Sequence, residues 1–143
     1  GQALVEMAVA LPIVALVLLG AADMARSYAV QVAVQGGARA GAETTALILA
    51  PDSTYAVGPV QDELGRTPGL TPANATIIAT YTLADGATPC AGSGTITVAG
   101  SSSLASPCFS NVRVRYTAST LIAWPYLPRS FTIDRTVRVR RYQ

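Results

Sequence analysis

The chain has no histidine and no lysine. Without histidine there is no Ser-His-Asp or Cys-His nucleophile, no histidine-containing zinc site and no imidazole to exchange protons near neutral pH. Without lysine there is no Schiff base and no phosphate-binding loop of the P-loop type. An ordinary enzyme is therefore not expected.

Charged residues are also few, at 13% of 143 residues, and the carboxylates that could serve acid–base catalysis are scattered. Asp62 and Glu63 are adjacent, so they would point to different sides of a helix or a strand. The acids at positions 52, 85 and 134 stand apart in the sequence. We therefore expect no catalytic residue, no bound cofactor and no metal site.

Only two cysteines occur, Cys90 and Cys108, on either side of a Gly/Ser-rich stretch at residues 91–107. Two ligands without a nearby histidine do not fill a tetrahedral metal shell. In a chain whose N-terminus looks membrane-directed, the pair favours an oxidising extracytoplasmic location and a disulfide. Two free thiols in the core are the alternative.

Charge is nearly absent from the N-terminus, where Glu6 is the single charged residue in residues 2–22 and an unbroken apolar run fills residues 7–22. At ~1.5 Å per residue this run spans roughly 24 Å, short of the ~30 Å hydrocarbon core. A plain membrane anchor fits if Glu6 lies near an interface. A cleaved secretory signal fits less well, because Pro12 interrupts the run and no small-x-small cleavage site precedes a polar break.

Glu6 itself points to assembly. A carboxylate inside hydrocarbon or a dry helical bundle is costly unless a cation or a hydrogen-bond donor meets it. We therefore predict that Glu6 sets the alignment of neighbouring helices. Pro12 removes one backbone hydrogen bond, so a kink or a locally melted turn is expected there.

The helical pattern continues to about residue 49, because Asp23/Arg26 and Arg39/Glu43 have i,i+3 and i,i+4 spacing. Pro51 and Asp52 would close the helix. Gly36 and Gly37 are a second position, after Pro12, where the helix is expected to be weakened.

Gly37 and Gly41 form a small-xxx-small pattern that lets another backbone approach closely. That backbone could belong to another subunit. Packing against the chain's own globular domain is the alternative.

Beyond residue 52 the sequence changes to short extended segments and turns. A brief helix is expected from about Val60 to Gly65, followed by loop residues around Pro68 and Pro72. Four strands are predicted at residues 76–83, 95–98, 111–117 and 131–140. In the last of them Arg135 breaks the apolar alternation, which suggests a bulge or a register shift.

These patterns predict an α+β fold with two parts. Residues 1–50 form a long N-terminal α-helix, and residues 51–143 form a small antiparallel β-sheet domain with one disulfide. The sheet has one buried face, and the second half of the helix is expected to cover it.

Seven of the ten arginines lie in the last 31 residues. Four of them, Arg113, Arg115, Arg138 and Arg140, could form a patch for an anionic surface partner such as DNA or polysaccharide. The alternative is an exposed, charged sheet face whose arginines pair between subunits with acids at positions 52, 62, 63 and 85. Separately, Asn74 begins an Asn-Ala-Thr glycosylation triplet, and residues 101–103 could carry O-linked sugar.

The N-terminus carries a family resemblance. The sequence reads GQALVEMA over residues 1–8, with Leu-Pro at 11–12, and the apolar run gives way to charged residues over Gly20 to Arg26. It resembles the N-terminus of TadE-like pseudopilins of tight-adherence (Flp-type) pilus systems, a branch of the type IV pilin superfamily. The specific similarity covers about residues 1–40.

The resemblance implies a role for three N-terminal residues. In the family a prepilin peptidase cuts after the glycine, and the fifth residue of the mature chain is glutamate. Gly1 and Gln2 would then flank the processing site, and Glu6 would meet the N-terminal amine of a neighbouring subunit. A cut after Gly1 would remove it, so the cleavage point relative to Gly1 is left open.

The resemblance implies a structural pilin that leaves the inner membrane and polymerises with identical subunits into an extracellular filament. The prepilin peptidase and the pilus assembly platform would be its partners in the membrane. Two alternatives stay open: a minor TadE-like pseudopilin needed for a filament of another pilin, and a single-pass membrane-anchored binding domain that does not polymerise.

Overall fold

The computed structural model describes residues 1–47, 54–90, 107–120 and 129–141. Its longest element is helix α1, Gln2–Leu47, with 46 residues. At ~1.5 Å per residue the helix is about 69 Å long. Its buried positions begin at Val30 and recur every three or four residues: Val30, Ala33, Val34, Gly37, Ala38, Gly41, Ala42, Thr45 and Ala46. The long N-terminal helix is confirmed, and only its second half packs on the rest of the chain.

Helix α1 continues without interruption through both predicted weak points. Pro12 lies inside the helix, so the turn around it is not melted, and the alternative, a kink at Pro12, stays a prediction. A proline removes one hydrogen bond, and the remaining bonds of a long helix keep the turns on either side in place. Gly36 and Gly37 also stay helical, since Gly37 is packed against a second helix. The predicted helix end lies outside the described residues.

The second helix, α2, spans Thr54–Gly65 and begins six residues before the predicted start at Val60. Gly58 and Pro59, which have low helix propensity, lie within the added residues. Ala56, Val60 and Leu64 are nevertheless completely buried at i, i+4 and i+8. Burial of this face stabilises the earlier turn against the low helix propensity of the Gly-Pro pair. The predicted end at Gly65 is confirmed.

In the part of the chain that the structure describes, three antiparallel strands form one sheet: β1 at Thr76–Thr82, β2 at Phe109–Ser119 and β3 at Ser130–Arg140. Strand β2 lies in the centre. Its residues Val112, Val114 and Tyr116 are buried, whereas Arg113 and Arg115 are exposed, as the alternation predicts. The helices cover the buried face, so the predicted antiparallel sheet and its cover are confirmed. The predicted strand at residues 95–98 lies outside the described residues.

Arg135 does not produce a bulge. The pairing of β2 with β3 is continuous, with Val114 opposite Arg135 and Val112 opposite Val137. Arg135 therefore shares the inner face of the sheet with Val137, yet it is exposed. Among the described strands β3 lies at the edge of the sheet, so a long side chain there reaches water without a change of register. An inward-facing charge on an edge strand also disfavours the addition of another strand.

The disulfide Cys90–Cys108 is confirmed, with the two Cα atoms 5.9 Å apart. Backbone hydrogen bonds hold both cysteines against the sheet. The Cys90 N–H donates to the carbonyl of Tyr81 over 3.1 Å, and the Cys108 carbonyl accepts from the N–H of Arg141 over 2.9 Å. The crosslink thus joins the chain that follows β1 to the start of the central strand.

Candidate assembly interface

The first half of α1 exposes large apolar side chains all around the helix. An 18-residue window has a mean hydropathy of 2.4, and none of it is buried within the described chain. By length and composition, this helix could cross a membrane. So large an exposed apolar surface requires a lipid or a protein partner. The exposed side chains are Leu4, Val5, Met7, Val9, Leu11, Ile13, Val14, Leu16, Val17, Leu18 and Leu19.

Glu6 lies one helical turn above Gln2 in this apolar surface. The Gln2 side-chain amide Nε2 donates a hydrogen bond to Oε1 of Glu6 over 3.4 Å. A carboxylate has about four acceptor positions, so this bond leaves capacity for a donor from outside the chain. Gly1 precedes the helix and is exposed. The predicted processing residues and the predicted register residue therefore occupy one end of α1.

Gly37 and Gly41 lie at the crossing of α1 and α2. A Cβ atom at Gly37 would lie 3.3 Å from both Cγ1 and the backbone oxygen of Val60. A Cβ atom at Gly41 would lie only 2.7 Å from Cγ2 of Val60 and 3.3 Å from Cγ1 of Val112. The small-xxx-small pattern is thus used inside the chain, where the two helices and the sheet meet.

Two arginines of the predicted anionic patch share one carboxylate on the outer face of the sheet. Arg113 Nε donates to Asp134 Oδ1 over 2.8 Å and Arg115 Nη2 donates to Oδ2 over 2.9 Å. A further bond joins Arg113 Nη2 to Oδ2. Hydrogen bonds first from Arg113 and then from Arg115 hold the pKa of Asp134 well below its usual range. The network is exposed, so it is not evidence of large stabilisation.

Arg138, a third predicted patch residue, is held against its own chain. Its guanidinium lies 4.1 Å from the ring centre of Phe109, and its Nη2 donates to the carbonyl of Leu83. This contact pins β3 to the turn that follows β1. In that turn Asp85 accepts hydrogen bonds from Thr88, which lower the pKa of the carboxyl group. Among the described residues, Arg113, Arg115 and Arg138 of the patch thus have partners within the chain, and the patch stays a prediction.

Asn74 is exposed at the end of a short 3-10 helix, Pro72–Asn74. The sequence predicted a loop at these residues, whereas the structure has a single turn of 3-10 helix. The turn is anchored to the sheet, since the Thr71 N–H donates to the hydroxyl of Tyr116 over 3.1 Å. Glycosylation of Asn74 stays a prediction. The O-linked site at residues 101–103 lies outside the described residues.

A family model described as TadE-like protein matches residues 1–43. The N-terminal segment is thus similar to TadE-like proteins. The match spans the exposed apolar half of α1 and the glycine pair at its crossing with α2. It is consistent with a TadE-like protein of the Tad pilus system and suggests a membrane-anchored, pilus-associated component. Comparison with curated proteins and with solved structures gives no significant match.

Sequence reasoning missed two residues that connect distant parts of the chain. Asp134 was not among the acids expected to pair with the arginines, because its position opposite Arg115 depends on the β2–β3 register. Val60 packs against Gly37 and Gly41. The sequence placed it only at the start of a brief helix and did not predict this contact. Its spacing of four from Ala56 and Leu64 was the available signal. Within residues 1–47, 54–90, 107–120 and 129–141, no cluster of His, Cys, Asp or Glu is placed to hold a metal.

Proposed function

We propose that this chain is a non-enzymatic structural pilin that polymerises through the apolar half of α1 into an extracellular Tad-type filament. The observation that carries the proposal is the fully exposed apolar window of α1 on a chain whose TadE-like match covers that same segment. Before assembly the window lies in the membrane. In the filament it packs against the same segment of other copies, and the sheet faces outward.

The energetics favour an exchange of lipid for protein. A helix of this composition is stable in a bilayer because its apolar surface avoids water. Outside the bilayer that surface must be buried against other apolar surface. Contacts between different faces of identical subunits generate a helical fibre when the rotation between neighbours does not close a ring.

Glu6 supplies the register of the proposed polymer. A misaligned neighbour would leave its carboxylate unpaired in a dry core, at a cost of several kcal/mol. The resemblance adds that the partner is the N-terminal amine of the next subunit, released by a prepilin peptidase at Gly1 or Gln2. The membrane assembly platform would then extract the processed chain.

A minor pseudopilin that starts or tips a filament of another pilin is the second candidate, because the family match is to TadE-like proteins. Electron microscopy of sheared surface material, with intact-mass measurement of its subunit, separates the two. Fibres composed chiefly of this chain support the structural pilin. Fibres composed of another protein, with only traces of this chain, support the pseudopilin.

A variant pair tests the assignment of Glu6. We expect Glu6→Ala to abolish fibres while the chain still inserts in the membrane. Glu43→Ala is the matched control, since Glu43 is an exposed acid of the same helix that pairs with Arg39 of its own chain. Normal localisation and function of Glu6→Ala, with no fibres from the unaltered chain, would support a membrane-anchored binding domain instead.

A further inference from the structure

The arginines of the outer sheet face form a continuous row that crosses from β2 to β3. Both strands contain the sequence Val-Arg-Val-Arg, at residues 112–115 and 137–140. The register places one arginine in each of four successive outward-facing pairs of opposite residues: Arg115/Asp134, Arg113/Thr136, Asn111/Arg138 and Phe109/Arg140. We call Arg115, Arg113, Arg138 and Arg140 the arginine row. All four residues are exposed, and at about 3.4 Å per residue the row extends about 20 Å.

Acids offset only part of the charge of the arginine row. Asp134 is the single acid at the outward positions of the three described strands, and Arg113 and Arg115 share it. Asp85 interacts with the charge of Arg138 from the turn after β1. Four arginines against these two acids leave an excess of two positive charges. The face therefore presents a positive potential to a partner from outside the chain.

The contacts within the chain hold the guanidinium groups in place and leave donors on them. An arginine side chain has five N–H donors. Arg113 and Arg115 use Nε and Nη2 for Asp134, so Nη1 takes no part in these bonds. Their side chains remain 48% and 53% exposed. Arg138 donates from Nη2 to the carbonyl of Leu83. A side chain that is already held loses less conformational entropy when a ligand binds.

The residues beside the arginine row favour a sugar polymer over a nucleic acid. Exposed threonines lie on the same face in all three strands: Thr76, Thr80, Thr117, Thr132 and Thr136. Their hydroxyls donate and accept hydrogen bonds, as sugar hydroxyls do. Phe109 is the one aromatic residue at the outward positions of the described strands, and the guanidinium of Arg138 lies over its ring. Surfaces that bind single-stranded nucleic acid instead offer aromatic rings on which bases stack.

We infer that the outer sheet face binds an acidic polysaccharide. Carboxylate or sulfate groups along the polymer pair with the arginine row, since the planar guanidinium matches such groups. The threonines bond to the sugar hydroxyls. A single exposed ion pair is weak, so a polymer that engages several arginines at once is retained better than a small anion. The Cys90–Cys108 disulfide favours an extracytoplasmic location, where surface polysaccharides are found.

Binding is measured by microscale thermophoresis with the full chain in a nonionic detergent. The probes are polygalacturonate, a polymer of carboxylated sugars, and heparin, which also carries sulfates. Neutral dextran and duplex DNA are the comparison polymers. We expect at least one acidic polysaccharide to bind more tightly than DNA, and dextran not to bind. Added salt should weaken the binding, because the contacts are exposed charges.

A pair of double variants tests the position of the site at equal loss of charge. Arg113→Gln with Arg140→Gln removes two members of the arginine row, and we expect binding to weaken about fivefold or more. Arg39→Gln with Arg66→Gln is the control, since these arginines of α1 and α2 have side chains that are 74% and 76% exposed. We expect the control to bind as the unaltered chain does. If the first double variant unfolds, Arg140→Gln alone should weaken binding about twofold.

Four outcomes would overturn the inference. One is no binding of either acidic polysaccharide at low salt, and another is an equal loss of binding in the two double variants. Tighter binding of duplex DNA, with the same dependence on Arg113 and Arg140, would assign the arginine row to nucleic acid. Self-association in detergent that the Arg113/Arg140 variant abolishes, without polysaccharide binding, would assign it to a second copy. The measurement uses single chains in detergent, so its failure is distinct from a failure of the proposed fibre.

Discussion

The hydroxyl oxygen of Thr45 in α1 lies 2.6 Å from the hydroxyl oxygen of Ser110 in β2, and both residues are completely buried. This hydrogen bond joins the long helix to the central strand inside an otherwise apolar core. The Thr45 hydroxyl also donates a hydrogen bond to the backbone carbonyl of Gly41, over 2.7 Å. Thr45 therefore keeps a hydrogen bond when Ser110 is removed, because the Gly41 carbonyl is a second acceptor.

We predict that Thr45→Val destabilises the chain more than Ser110→Ala. The valine leaves the Ser110 hydroxyl buried without its Thr45 partner, at a cost of roughly 1–3 kcal/mol. Ser110→Ala leaves Thr45 bonded to the Gly41 carbonyl, so about 1 kcal/mol is expected. Urea unfolding of the full chain in detergent, followed by circular dichroism, measures both. The double variant should lose less than the sum of the single losses, and strict additivity would contradict the coupling.

Gly41→Ala should destabilise the junction of α1, α2 and the sheet. Its new methyl group would lie 2.7 Å from Cγ2 of Val60, which is buried and cannot swing away. Overpacking of this kind costs roughly 1–3 kcal/mol, which exceeds the helix-propensity gain of about 1 kcal/mol from replacing glycine. Gly58→Ala in α2 meets no atom within 4 Å and is the control. We expect it to raise the free energy of unfolding, so a fall in that variant would contradict the packing argument.

The outer sheet face should make the chain sensitive to strong acid. Hydrogen bonds from Arg113 and Arg115 lower the pKa of Asp134 in the folded state. A carboxylate with a lowered folded pKa contributes stability that is present above its unfolded value of about 3.9 and is lost as pH falls through the folded value. Unfolding midpoints measured between about pH 5 and pH 2 should fall less steeply for Asp134→Asn than for the unaltered chain. Identical pH profiles would show that solvent screens the network completely.

Reduction of the Cys90–Cys108 disulfide should destabilise the sheet domain. The bridge closes a loop across a sequence separation of 18 residues. By the chain-entropy model, closing such a loop contributes on the order of 3 kcal/mol. Replacement of both cysteines with serine should therefore lower the denaturation midpoint, and a reducing agent should lower it for the unaltered chain only. A midpoint that does not respond to either change would mean that the unfolded state is already restricted.

The sequence alone determined the two-part architecture, the exposed apolar helix with its single acid, the cysteine pair and the faces of the strands. These features follow from local composition and periodicity, which one chain segment carries by itself. The absence of histidine and lysine, and the classes of enzyme that it makes unexpected, can likewise be read without knowledge of the fold. The first 40 residues also sufficed for the TadE-like resemblance, which the family match over residues 1–43 confirms.

The tertiary structure decided which groups meet. Val60 fills the space beside Gly41, Asp134 joins Arg113 and Arg115, and Arg138 lies against Phe109. It also kept α1 intact at Pro12 and extended α2 backward past Pro59. Each of these outcomes depends on residues far apart in the sequence, because strand register and helix crossing are set by the burial of the whole core. Local sequence patterns indicate which secondary structure a segment can form, and tertiary packing determines which residues it contacts.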